Sequence, residues 1–549
     1  MLKSITAINC NTTIKIILEE ILMAVMYLTL IVYLVLMIGI GFYCRKKTSN
    51  VSEFVLGGRT VGPWLTAFAY GTSYFSAVVF IGYAGQFGWS YGLASTWIGI
   101  GNALIGTLLA WVLMGKRTRI MTAHIKAATM PEFFEKRFNS MSLKIAAAII
   151  SFVFLIPYTA SVYNGLSRLF ESAFHIDYSI CIIVMALLTA IYVILGGYKA
   201  TTINDFIQGI IMLLGIVAVI VCVVNNQGGL STATENLGLI ADSNGNTGTL
   251  NSLFGPDPVN LIGVIILTSL GTWGLPQMVT KFYAIKDDKS ITRGAVISTI
   301  FAVVISGGSY FLGGFGHLFA TADETESAET GKFFVEKLAN GKLNYDSIVP
   351  AMLDSALPQI LVGIVLVLVF SASMSTLSSL VLTSSSTLTI DLIKPLSKKE
   401  ITEKKQVLIM RILIALFLVL SVILALNKNT YITTLMSISW GALAGSFLAP
   451  FLYGLFSKKI TKAAVWVSFG CGSIITVVHM ILFSLGFFPS LQQKVVEMGW
   501  KLNIMSPINC GAFVMILGLI LVPIVSAFTK NSKKTQEYIE KDVFSCYNK

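Results

Sequence analysis

The chain has 549 residues, 55% hydrophobic and only 12% charged, with a mean hydropathy of +0.78. A soluble domain carries about 25% charged residues, so this composition excludes one and describes a polytopic membrane protein. The net charge of +12 would point to nucleic acid in a soluble chain, but here it sorts by loop and is read as topology, with no nucleic-acid partner.

The first twenty residues, MLKSITAINCNTTIKIILEE, are polar and lack the apolar region and small-residue cleavage site of a signal peptide. Met23 or Met26 is an alternative start. From Met26 the run MYLTLIVYLVLMIGIGFY, like IIMLLGIVAVIVCVV from Ile210, is long and apolar enough to make helices the spanning element. About thirteen spans follow from a length of roughly 20 residues each. They are 24–43, 63–85, 91–114, 142–172, 178–196, 203–225, 259–283, 291–319, 352–388, 408–426, 431–456, 463–486 and 506–528. The fold class is therefore all-α and polytopic.

If odd-numbered spans run inward, the inner loops collect Arg45, Lys46, Lys47 and Arg59, then Lys116 to Lys144, then Lys281, Lys286, Lys289 and Arg293. Lys394 to Arg411 and Lys458 to Lys462 join them, whereas Asn225–Asn260 holds no Lys or Arg. That asymmetry places the N-terminus outside, the C-terminus in the cytoplasm, and the protein in the cell membrane.

Two spans are interrupted, 63–85 by AYGTSYFS and 259–283 by LGTWGLPQ. Glycine also serves close helix packing, but two breaks five spans apart point to an inverted-repeat carrier. The organisation expected is an N-terminal segment with the first helix (1–62), a five-helix repeat (63–225), an external loop (226–258) and a second five-helix repeat (259–456). Two further helices (457–529) and a tail (530–549) complete it.

At 370–389 the chain reads FSASMSTLSSLVLTSSSTLT, with a dozen hydroxyls. A single Ser or Thr in such a helix usually bonds one turn back. Here Ala372, Ser375, Thr376, Ser379, Thr383, Ser386 and Thr387 recur at helical intervals and form one polar stripe. A break at Gly71 to Ser76 would release carbonyls opposite that stripe, and neutral oxygens suit a hard monovalent cation. Asp205, in GGYKATTINDFIQG, is read either as a helix N-cap or as an ion ligand. The seven cysteines and four histidines are dispersed and indicate neither disulfides nor a transition-metal site.

Five motifs resemble the sodium/solute symporters, a family with the LeuT-type inverted repeat: EFVLGGRTVGPW (53–64), MPEFFEKRF (130–138), LGGYKATTINDFIQG (195–209), ASMSTLSS (372–379) and SWGALAGSFLAPFLYGLF (439–456). The resemblance covers about Phe42 to Lys462. It implies Na+ as coupling ion, held by carbonyls of Thr72, Phe75 and Ala372 and hydroxyls of Ser375 and Thr376. As in sialic acid transporters, it also implies a second sodium site at Asp205, Ser375, Ser378 and Ser379. A small-molecule substrate would lie beside Ser76, Asn102, Thr268, Thr272, Gly274, Pro276 and Trp440. The resemblance leans toward sodium/proline symporters, but their aromatic pair on the sixth core helix is Thr268 and Thr272 here, and an Asp of their first core helix is Tyr74.

Symport of proline or another amino acid is thus expected, with a carboxylate, pantothenate or sialic acid as alternatives. A membrane solute sensor is the rival reading, although the tail leaves no room for a kinase. No enzymatic activity is expected: an intramembrane enzyme needs a nucleophile and a base within reach of each other, and no His or Cys falls on a polar face.

Overall fold

The computed structural model describes residue 28 and residues 31–45, 50–174, 176–338, 341, 343–397, 399–426 and 432–547. The alternative starts Met23 and Met26, and the loop residues Lys46, Lys47 and Lys398, lie outside them.

Among the described residues ten helices are long and apolar enough to cross a membrane, and Ile31–Arg45 is a shorter apolar one. The long helix Tyr178–Asn226 turns at Gly197, and Val78–His124 turns at Gly92. Dividing them there, and joining Pro63–Tyr74 to Val78–Tyr91 as one interrupted span, recovers the thirteen expected segments.

Proline starts several helices, at Pro63, Pro258, Pro276 and Pro507. At the first helical position its missing N–H costs nothing. The expected span 352–388 instead divides into Ile348–Ala356 and Gln359–Thr387. Leu357 precedes Pro358 and is extended, as a residue before proline tends to be. The connection before it holds a two-stranded parallel pair, Ala320–Thr321 with Phe333–Phe334, a small departure from an all-helical chain. It packs a separate apolar cluster of Ala320, Val335 and Ile348.

The helix Gln359–Thr387 lies at the centre, packed against Tyr178–Asn226, Met141–Phe174 and the first interrupted span. Outer helices such as Glu403–Ala425 bury about a third of their most apolar window, which leaves the rest for lipid. Backbones meet where side chains vanish: a Cβ on Gly88 would stand 2.0 Å from the Gly313 carbonyl oxygen.

Gly197, of the LGGY motif, has φ 53 and ψ −155, a conformation essentially reserved for glycine. A Cβ there would meet Phe54 Cδ2 at 2.8 Å and its carbonyl oxygen at 2.9 Å. Gly197→Ala is expected to cost about 1–3 kcal/mol in backbone strain with a clash added, read as a lower melting temperature of the purified protein.

The basic loops gather at one end of the bundle. There Arg119 pairs with Asp288 at 2.8 Å, Arg137 donates to the carbonyls of Gly454 and Ser457, and Lys462 donates to that of Asn139. Gly57, Gly58 and Arg59 take positive φ in succession. This turn brings the Arg59 guanidinium to the carbonyls of Ala127, Tyr283 and Thr122 at 2.5, 3.0 and 3.3 Å. The GGR motif is thus a strap across this end. The tail docks here too, Tyr538 donating to the Lys136 carbonyl and Tyr547 to that of Arg117.

Candidate functional site

The first interrupted helix runs Pro63–Tyr74, and Phe75 is extended at φ −106 and ψ 107. Beyond it the N–H groups that would have continued the helix find other partners. Ala77 donates to Ser373 Oγ, Val78 to Ser76 Oγ and Val79 to the Ser76 carbonyl. The carbonyls of Ser73, Tyr74 and Phe75 thereby lose their helical donors. The second break lies at Leu275, between Pro258–Gly274 and Pro276–Tyr283.

The hydroxyl stripe faces the first break. Thr376 Oγ1 lies 3.2 Å from the Thr72 carbonyl oxygen, 3.4 Å from that of Ser73 and 3.2 Å from that of Ala372. Ser375 Oγ lies 2.8 Å from Thr72 Oγ1 and 2.6 Å from Asp205 Oδ1. Thr72, Phe75, Ala372, Ser375 and Thr376 are all buried. The structure brings the oxygens of Thr72, Ala372, Ser375 and Thr376 together as one cluster, and Phe75 lies at the break itself.

Of the acid-and-serine set, Ser375 meets Asp205 directly and Ser379 is joined to Asp205 through Lys281, whereas the Ser378 hydroxyl donates to the Ser375 carbonyl of its own helix at 2.8 Å. Asp205 is not an N-cap. The helix continues through it from Tyr178, the turn at Gly197 lying eight residues earlier. Lys281, grouped with the inner-loop cations although the expected span 259–283 contains it, lies within Pro276–Tyr283 and is 2% exposed. Its Nζ lies 3.0 Å from Ser379 Oγ and 3.8 Å from Asp205 Oδ2, and the Tyr198 ring is 5.3 Å from it. Ser73 joins the group through its hydroxyl, 2.8 Å from Ser379 Oγ. Sequence reading missed Ser73 and Lys281. The signal for Lys281 was available, since an ionisable residue inside a predicted span calls for a named partner.

The residues nominated for substrate are also buried, but the polar groups of Asn102, Thr268 and Thr272 are taken by other residues of the protein. Asn102 bridges Ser306 and Ser269 at 3.1 and 3.2 Å, and Thr272 donates to the Gly106 carbonyl at 2.9 Å. Thr268 donates back to Val264. Gly274 sits where a Cβ would crowd Ala444 and Leu448, and Pro276 opens the lower half-helix. Tyr74 fills the space between the broken helices, donating to the Thr268 carbonyl and stacking on Trp440 at 5.8 Å. Trp440 Nε1 and the whole Gln277 amide have no hydrogen-bond partner among the described residues, and Gln277 was not foreseen. Ser76 lies apart from the others, in an apolar pocket with Phe75, Val79, Met212 and Ala372.

Clefts approach this region from both ends. At the basic end a small pocket is lined by Gln277, Lys281, Ser379, Thr383, Ser386 and Thr387, which include three of the lower hydroxyls. At the other end is a cavity of about 990 Å³ lined by Gln86, Asp242, Asp257, His317 and Glu326 among others. Burial, with stacking on Trp89 at 3.8 Å, goes with a His317 pKa lowered to about 4, which keeps the ring neutral at ordinary pH.

Two broken helices meeting a buried set of neutral oxygens define a class: the secondary transporters with interrupted helices. The family model described as sodium:solute symporter family matches residues 54–470. Sodium/proline symporters of Staphylococcus aureus strains JH9 and COL are each 31% identical over 461 residues, 82% of this chain and 85% of theirs. The chain belongs to the sodium:solute symporter family, whose coupling ion is Na+, and it is a transporter and not an enzyme. A solved Na+-coupled sialic acid symporter, in its substrate-bound outward-open state, aligns with a TM-score of 0.70 at 17% identity. The alignment covers 92% of this chain and 99% of that one, which places both in the LeuT-type fold.

Proposed function

We propose that this protein imports a small organic solute with sodium by alternating access, and that the solute is proline or another amino acid. The observation that carries the reading is the convergence of Thr376 Oγ1 and Ser375 Oγ on the released carbonyls and hydroxyl of the first broken helix. Sodium bound to the Thr72, Phe75 and Ala372 carbonyls and the Ser375 and Thr376 hydroxyls would join two helices that must move relative to one another. It would thereby favour the outward-open arrangement that completes the substrate pocket. Occupied by both, the bundle rocks toward the end where the Arg59 strap lies, and that basic end faces the cytoplasm. Each positive charge carried inward contributes about 2.3 kcal/mol per 100 mV, with the sodium gradient added.

Ser76, Asn102, Thr268, Thr272, Gly274, Pro276 and Trp440 remain the proposed substrate neighbours, with Trp440 Nε1 and the Gln277 amide as the unsatisfied groups available to a polar solute. An amino acid is favoured by the relatives named for proline. Tyr74, Thr268 and Thr272 set this pocket's own selectivity.

The test is uptake into proteoliposomes, screened over proline, other amino acids, pantothenate, short carboxylates and sialic acid. The expected result is sodium-driven accumulation of an amino acid. Accumulation of another of these solutes would overturn the substrate assignment, and no sodium-driven accumulation of any would overturn the transport reading.

A further inference from the structure

We propose that Lys281 is a tethered cation standing in the second sodium position, so that the carrier binds a single sodium ion per chain. The inference rests on the sodium site assigned above and concerns the neighbouring set of acid and serine oxygens.

The argument is one of donors and charge. Lys281 Nζ lies 3.0 Å from Ser379 Oγ and 3.8 Å from Asp205 Oδ2, which are two of the oxygens that a second sodium would need. A third, Ser378 Oγ, is turned to its own helix. An ammonium has three N–H donors and no acceptor; it takes from these oxygens what a monovalent metal ion would take.

The site also holds charge for one cation only. Among the described residues Asp205 is the carboxylate that pairs with Lys281, and both are enclosed, at 0% and 2% exposure. A sodium ion added beside the ammonium would leave an excess positive charge in a dry interior, where it is poorly screened. The tether matters because Lys281 belongs to the lower half of the second broken helix, whereas Asp205 and Ser379 belong to other helices. The bond therefore ties together three elements without drawing an ion from solution.

The experiment is equilibrium binding of radioactive sodium to the purified full-length protein in nanodiscs, with no organic substrate present. Wild type should bind one sodium per chain, Lys281→Arg one, and Lys281→Met two, with a Hill coefficient rising toward two. Two sodium ions on wild type, or one on a folded Lys281→Met, would overturn the proposal. Should Lys281→Met fail to fold, the wild-type and Lys281→Arg counts still decide it, since two on either refutes the tethered cation. Failure of the first sodium site reads differently: sodium affinity would then be indifferent to Thr376→Ala, whatever the count at Lys281.

Discussion

Replacing Ser375 and Thr376 together by alanine is expected to raise the sodium concentration for half-maximal uptake roughly thirtyfold. Each hydroxyl contributes about 1 kcal/mol as a net polar contact, and about 2 kcal/mol for the pair is roughly thirtyfold in an equilibrium constant. The helix should survive, because alanine is a good helix former and the apolar contacts of Met374 and Leu377 on either side are untouched. The measurement is substrate uptake against sodium concentration at fixed membrane potential. A shift in apparent sodium affinity with the maximal rate largely kept would mark these oxygens as ligands. An unchanged affinity would return them to helix packing.

The second large effect is expected at Asp205. Asp205→Asn leaves the Lys281 ammonium enclosed without its counter-charge, and breaking a buried pair costs on the order of 3–5 kcal/mol. The variant should melt well below wild type, and Asp205→Asn combined with Lys281→Met should recover much of that loss. A double-mutant cycle on melting temperature reads the coupling directly. Simple addition of the two single effects would mean that the carboxylate serves the helix packing around Ser375 and not the lysine.

Much of this architecture was legible in the sequence because its signals are local. Span length, the breaks at AYGTSYFS and LGTWGLPQ, and the three-and-four spacing of the hydroxyls each depend on a few neighbouring residues. What escaped depends on tertiary placement. Asp205 looked like the start of a helix because GGY punctuates the chain, but the helix resumes directly after Gly197 and carries Asp205 into its interior. Lys281 stands among the inner-loop cations in the charge sorting although the expected span 259–283 contains it, and the lower half-helix turns it inward. Ser378 lies beside Ser379 in sequence, yet about 100° further around the helix, and only Ser379 reaches Lys281. The substrate side chains were read as ligands in waiting, while Asn102 and Thr272 spend their polar groups on Ser306, Ser269 and Gly106. No periodicity reveals such pairings.

Ser375 Oγ stands within reach of both Thr72 Oγ1 and Asp205 Oδ1, at 2.8 and 2.6 Å. A hydroxyl owns a single hydrogen, so at any instant only one of these acceptors receives it. In the sodium site proposed above, a cation beside Thr72 would take the lone pair of this oxygen and turn its hydrogen to the carboxylate; without the cation the hydrogen would be free to swing back. One rotor therefore links the broken helix to the helix of Asp205, and an ion bound as proposed at one would be registered at the other by the turning of a single bond.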